Sequence, residues 1–254
     1  METSALFMKK VVAIINSMLA TLGIRLVSTE NGSFNMSAAI ERASIKSPGI
    51  RTIIDIGASN GTWSKTAMRY FTNATVFAVE PLEEREESLK NLKRKYDNFD
   101  YELCVAGDTK NTSVSLNVSN DLDGSTVDGS GGQPRIVPGT TIDSLASNHS
   151  LTGPFLLKFD THGYELPILS GAENTLKNTD VIIMETYNFQ LTDNSLRFHE
   201  MCHYLEKLGF RCYDVADPML RKHDQAFWQI DLFFIRETSD VFSYNSYSSD
   251  LPKQ

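Results

Sequence analysis

The side chains able to bind or move charge recur at one kind of place in this chain. Asp55, Glu80, Asp108, Asp160 and Glu185 each fall at or beside the end of a different apolar run of strand character, and His162 follows Asp160 by two residues. Parallel strands covered on both faces read as near-continuous apolar runs, and ligands of such sheets sit outside the strands' carboxyl ends. Carboxylates there can hold sugar hydroxyls or a cationic group. A histidine, with an unperturbed pKa near neutrality, can take a proton. His162 is therefore the candidate base or acceptor-orienting group, with Asp160 and Glu185 lining the same pocket. These three residue types also suit Mg²⁺ or Mn²⁺; no metal is expected, because ligand types alone do not make a site.

A second constellation sits upstream. Residues 50–56 are strand-like and apolar, residues 62–71 are helical in pattern, and between them runs Asp55-x-Gly57-x-x-x-Gly61. Glycines there let a backbone approach a ligand closely, and the following helix turns unpaired N–H groups toward the crevice. A dinucleotide fingerprint wants a second glycine for the pyrophosphate, and Ser59 stands in its place. Glu80 lies 19 residues beyond Gly61, where an acid can accept from both hydroxyls of a ribose. The missing pyrophosphate cradle and the acid beside the turn favour S-adenosylmethionine over NAD. Its expected contacts are Asp55, Gly57, Ala58, Ser59, Gly61, Trp63, Glu80, Pro81 and Asp108, with Asp55 and the start of the 62–71 helix facing the ammonium and carboxylate of the methionine part.

His199-Glu200-Met201-Cys202-His203 matches the H-E-x-x-H pattern of zinc proteases. The pattern is short, and its helix falls outside the expected sheet with no third ligand in place, so the zinc metallohydrolase is the lesser alternative.

These residues need elements to hold them. Strands are expected at 50–56, 74–80, 99–106, 154–160, 181–185, 210–215 and 226–236, with helices at 62–71, 82–96, 164–177 and 195–208. That alternation predicts a doubly wound parallel sheet. It breaks over 111–145, where 112–118 and 135–141 read as short paired strands around a polar, glycine-rich stretch at 119–133, a candidate lid or substrate loop. Ahead of the sheet, 4–24 has the apolar spacing of an amphipathic helix and 37–46 that of a second. Lys9 and Lys10 interrupt the first, so a membrane span is not expected. Packing on the domain or on a second copy of itself is its expected use; a membrane-surface anchor or partner helix is the alternative.

At 254 residues, 41% apolar and net charge −8, the chain can bury a sizeable core and lacks the clustered cations that nucleic-acid binding needs. Three cysteines without paired spacing fit a reducing compartment.

The runs 55–61, Val79-Glu80-Pro81, Ile183-Met184-Glu185 and above all 157–172, with its K-x-D-x-x-G-x-E-x-x-x-L-x-G-A pattern, resemble the FkbM-type S-adenosylmethionine-dependent methyltransferases over roughly 37–236. The family often has Val-Glu-Gly where this chain has Thr161-His162-Gly163. The resemblance implies a Rossmann-like class I methyltransferase: an α/β fold with a seven-stranded, mostly parallel sheet, the last strand antiparallel, preceded here by N-terminal helices. It also implies methyl transfer to a hydroxyl of a glycan, glycolipid precursor or secondary metabolite. The expected division is a helical extension over 1–48, the methyltransferase domain over 49–238 and a tail over 239–254, in a cytoplasmic protein with a small-molecule or glycan acceptor and no nucleic-acid partner. A non-catalytic binding module that keeps the fold is the other alternative.

Overall fold

The computed structural model describes residues 15, 17–19, 34–127 and 132–246. The chain divides into two units, Met1–Ser33 and Phe34–Gln254. In the first, residues 15 and 17–19 are helical; the rest of the amphipathic helix expected at 4–24 lies outside the described residues, as do 247–254 of the tail.

The second unit begins with α1 (Met36–Lys46), capped by the Asn35 side chain. There follow β1 (Thr52–Ile56), α2 (Thr62–Tyr70), β2 (Thr75–Val79), α3 (Glu86–Lys95), β3 (Phe99–Glu102), β4 (Val105–Ala106), β5 (Thr112–Val118), β6 (Gln133–Thr140) and α4 (Ile142–Asn148). The chain continues through β7 (Phe155–Phe159), α5 (Glu165–Ser170), α6 (Glu173–Lys177), β8 (Thr179–Tyr187), α7 (Phe198–Lys207), β9 (Phe210–Leu220) and β10 (Phe227–Arg236). The main sheet runs β3-β2-β1-β7-β8-β10-β9, and β4-β6-β5 form a second, smaller one. In the main sheet β10 alone is antiparallel to its neighbours β8 and β9.

Successive strand residues point to opposite faces, and both faces are covered. Ile53, Val76, Leu156, Ile183 and Phe233 pack with Ile40 of α1, Ala67 of α2 and Leu89 of α3. Ile54, Phe77, Leu157, Ile182 and Phe234 pack with Leu145 of α4, Ile168 of α5 and Leu205 of α7. This double cover explains why β1, β7 and the middle of β8 read as unbroken apolar runs. It also fixes α1 to the sheet, where Arg42 grips Asp214 of β9 through two hydrogen bonds of 2.6 and 3.0 Å.

Three expectations change. The strand expected at 99–106 is two: β3 ends at Glu102, and Val105 and Ala106 leave the main sheet to pair with Gly139 and Thr140. The helix expected at 164–177 breaks into α5 and α6. Gly171 lies so close to the Gly107 carbonyl that a Cβ there would overlap it, and the Asp143 side chain caps α6 by accepting from the Thr175 and Asn174 amides at 2.7 and 2.9 Å. Helix α4, within and beyond the stretch read as irregular, was not expected. Its cap is Thr141, which accepts from the Ser144 amide at 3.0 Å, and it seals Ile142 and Leu145 into the core.

Candidate active site at the strand ends

The turn after β1 is shaped by close contact. Gly57, Ser59 and Gly61 all have positive φ, at 78°, 48° and 75°. At Gly57 a Cβ would overlap the carbonyl oxygen of Asp160, and at Gly61 it would strike Leu92 of α3. The Gly57 amide donates to the Val79 carbonyl at 2.9 Å, so the turn is tied to the end of β2. There Glu80, 4% exposed, accepts from the Ser59 amide at 2.7 Å and the Leu82 amide at 2.9 Å. Burial raises the pKa of this carboxyl, against the pull of those two amides. Beside it opens a cavity of about 330 Å³, walled by Gly57, Ser59, Glu80, Pro81, Leu82 and, from the far side, Asp160, His162 and Glu185. Its size falls within the range of small-molecule sites.

Beneath the turn, the alternation of β1 sends Asp55 away from the cavity, while Ile56 lines it. Asp55 is fully buried. One oxygen accepts from Ser64 Oγ at 2.6 Å; the other has no hydrogen-bond partner and lies 3.9 Å from the Nζ of Lys158. Lys158, 3% exposed, donates to Asp160 Oδ2 at 2.6 Å and has its Nζ 5.7 Å from the centre of the Trp63 ring. Burial opposes the lysine's charge, but Asp160 and Asp55 outweigh it and raise its pKa. Asp55 is thus the buried counter-ion of a lysine, off the cavity wall, in place of the ligand-facing acid expected.

The far wall is organised by the turn after β7. His162 sits at φ 53° and Gly163 at φ 102°. This tight conformation is held by Glu165, a buried residue of α5 whose Oε1 accepts from the Gly163 amide at 2.8 Å and from Thr161 Oγ1 at 3.1 Å. His162 Nδ1 meets the Tyr187 hydroxyl at 2.9 Å and lies 3.6 Å from Glu185 Oε1; Nε2 donates to the Asp123 carbonyl at 2.6 Å and is 4.0 Å from Asp160 Oδ1. The Tyr187 hydroxyl also donates to Glu185. Burial works against the imidazolium, but the nearby carboxylates of Glu185 and Asp160 prevail and raise the pKa to about 9. Glu185 is pushed up by burial, while Asp160, although burial opposes its charge, is held down by Lys158 and His162.

Of the residues expected at the site, Gly57, Ser59, Glu80, Pro81, Asp160, His162 and Glu185 share the cavity wall. Asp55, Ala58, Gly61 and Trp63 do not: Ala58 is core, Gly61 packs on α3, and Trp63 lies over Lys158 with its buried Nε1 unpartnered. Asp108 is exposed and accepts from its neighbour Thr109 Oγ1 at 2.9 Å. The break after β3 explains this, since Asp108 follows a strand of the smaller sheet. Tyr187, Arg85 and Asp123 line the cavity without having been singled out. Asp231, the cross-strand partner of Glu185, is likewise new; burial and then the Glu185 charge push its carboxyl up to about 7. Tyr187 was legible as the second residue after Glu185 along one strand face, whereas nothing local marks Asp123.

Among the described residues, Asp160, His162 and Glu185 form the group with metal-ligating proximity, their ligand atoms all within 4.8 Å of one another. Lys158 already donates to Asp160 at 2.6 Å and His162 lies 4.0 Å from Asp160 and 3.6 Å from Glu185, so a cation would have to expel a proton or displace the lysine. Turnover at this site is accordingly expected to persist in excess chelator; a rate that collapsed and returned with Mg²⁺ would show that the cluster holds an ion. Among the described residues the H-E-x-x-H segment forms no such group. His199 and His203 are exposed on α7, and Glu200 is bound by the Arg197 guanidinium at 2.8 Å.

A main sheet in the order found, one antiparallel strand toward its end, a glycine turn after β1 and a buried acid after β2 define the class I methyltransferase architecture. The chain belongs to the methyltransferase FkbM domain family, whose model matches residues 55–212. Solved structures that match it include methyltransferase FkbM from Methylobacillus flagellatus KT, at 16% identity over 72% of this chain and 43% of that one, with a TM-score of 0.47. This chain therefore spans less than half the length of that protein. Others are the 1,6-didemethyltoxoflavin-N1-methyltransferase of Burkholderia thailandensis (11% identity, 92% and 89% covered, TM-score 0.45) and the magnesium protoporphyrin IX methyltransferase of Synechocystis PCC 6803 (10%, 78% and 75%, TM-score 0.44). No curated protein matches the chain. Among the described residues no helix is long and apolar enough to cross a membrane.

Proposed function

We propose that the chain is an S-adenosylmethionine-dependent O-methyltransferase acting on a hydroxyl of a glycan, glycolipid precursor or secondary metabolite. The observation that carries this reading is that one cavity joins the Gly57–Glu80 wall to the wall of His162, Asp160 and Glu185. The first wall fits the donor: Gly57, Ser59 and Pro81 line it, and Glu80 is a buried acceptor for sugar hydroxyls. When bound, S-adenosylmethionine supplies a methyl group activated by its sulfonium. The chain's own residues then have two tasks, holding the acceptor oxygen in line and taking its proton. His162 takes that proton in its neutral form. Tyr187 and Glu185 orient the ring through Nδ1, and Asp160 offers a carboxylate on the same wall.

Three free cysteines, with Cys104 buried, support a reducing compartment, and we place the protein in the cytoplasm. Calorimetry with S-adenosylhomocysteine and with NAD tests the donor assignment. The first is expected to bind and the second not, and Glu80→Gln should weaken S-adenosylhomocysteine by roughly 10- to 100-fold, the loss of a charged acceptor to paired hydroxyls. NAD binding with S-adenosylhomocysteine inert would reverse the assignment.

A further inference from the structure

One residue spans the cavity. Asp123 belongs to the 119–127 excursion between β5 and β6, and Leu122, Asp123, Ser125, Thr126 and Val127 all line the pocket. Its carboxylate Oδ1 accepts from Ser59 Oγ at 3.0 Å on the donor turn and from Arg85 Nη2 at 2.5 Å after β2. Its carbonyl accepts from His162 Nε2 on the opposite wall. The excursion itself is a self-bonded body. Asp121 Oδ1 accepts from Ser119 Oγ at 2.6 Å and the Gly124 amide at 3.1 Å, and Asn117 and Thr126 exchange backbone bonds of 2.8 and 3.1 Å. Its stem is tied down separately, where Arg135 of β6 forks onto Glu84 at 2.7 and 2.8 Å.

We infer that 119–127 is a strap over the donor pocket and that Asp123 is its latch, a positioning residue that closes the strap on the donor turn while holding His162 by the nitrogen an acceptor hydroxyl would need. Bonds on both sides of a cavity of about 330 Å³ must part to let a ligand in and can close again over it. The Asp123–Arg85 pair is suited to yielding. The Asp123 side chain is 69% exposed while that of Arg85 is 19% exposed, and an ion pair open to water on one side adds little to stability, so the aspartate can swing away with the arginine left in place. Donor entry then needs the Ser59 and Arg85 bonds to part, and acceptor entry needs the hydroxyl to replace the Asp123 carbonyl at Nε2. Local openings of this kind are drawn from the least stable parts of a fold.

The inference rests on the donor reading above, and the test separates the two. S-adenosylhomocysteine dissociation is measured by stopped flow for the wild type, Asp123→Ala, Arg85→Ala and the double variant, with deuterium uptake over 119–127 followed with and without the ligand. Dissociation about tenfold faster in each single variant, the double no faster than the singles, and wild-type uptake that falls on binding are expected. Ser59→Ala, which removes one latch bond from the other side, should give a smaller acceleration and stands in if Asp123→Ala fails to fold. Rates within twofold of wild type, or uptake unchanged by the ligand, would overturn the strap and leave the donor reading intact. Failure of the wild type to bind S-adenosylhomocysteine would fell both.

Discussion

Replacing Lys158 by methionine is expected to destabilise the fold by about 3–5 kcal/mol, the range seen when one partner of a buried ion pair is removed and the other left in place. Methionine keeps most of the volume, so the loss reports charge, not a cavity. What it strands is Asp55, fully buried, with one oxygen served by Ser64 and the other facing only the lysine. Asp160 loses its 2.6 Å partner at the same time. Urea melts at neutral pH measure the effect. The sign of its pH dependence follows from Asp160, whose folded pKa is depressed. A depressed carboxylate contributes stability above its unfolded pKa that is lost as pH falls through the folded value. The variant lacks that contribution, so the gap between the two proteins should hold down to about pH 4 and narrow only below it. Adding Asp55→Asn to Lys158→Met should restore part of the loss. A Lys158→Met protein as stable as wild type would mean that the lysine's charge contributes nothing.

The second large effect concerns His162. With a folded pKa of about 9, the imidazole is mostly charged at neutral pH. A base must be neutral, so kcat/KM should climb with pH, approaching tenfold per unit, and level off near 9. In His162→Gln that slope should vanish, with a loss of about 10²–10⁴-fold at the plateau, the usual contribution of general-base catalysis. Stability runs the other way. A histidine whose pKa is raised on folding contributes stability that is complete below its unfolded value and is lost as pH rises through the folded one. The protein should therefore give up the His162–Glu185 attraction over the same interval, from about 6.5 to about 9, in which turnover improves. Initial rates over pH 6 to 10, with unfolding followed in the same buffers, measure both. A rate flat with pH in the wild type would assign His162 to orientation alone.

The parts legible in the sequence were those whose cause is local. Strand β1 and its turn could be read because double burial leaves an apolar run and because Gly57 and Gly61 must adopt positive φ beside other chain segments. Glu80, Asp160 and Glu185 could be placed because strand ends converge at one edge of a parallel sheet. The particular pattern over 157–172 also acquires a reason: Lys158 neutralises Asp55 and Asp160, Glu165 ties the His162 turn, and Gly171 yields to the Gly107 carbonyl. What could not be read depended on distant chain. Strand parity alone turns Asp55 under the sheet, but that it meets a lysine there follows from β7 lying alongside. Asp108 leaves the site because β4 finds β6, some thirty residues on, a better partner than the main sheet. The contacts of Asp123 with Ser59 and His162 span 64 and 39 residues, and no periodicity carries such information.

The smaller sheet has one more consequence. The excursion that makes it leaves and rejoins the chain at a single neck, where Val105 and Ala106 pair with Gly139 and Thr140 and the Gly107 amide donates to the Thr140 carbonyl at 2.8 Å. The two ends are thus already side by side whatever lies between them. Lengthening a loop whose ends are pinned together costs only about 0.6 kcal/mol for each doubling. Inserts of other lengths can accordingly be joined at the neck at little cost in closure while the seven-stranded sheet stays as it is.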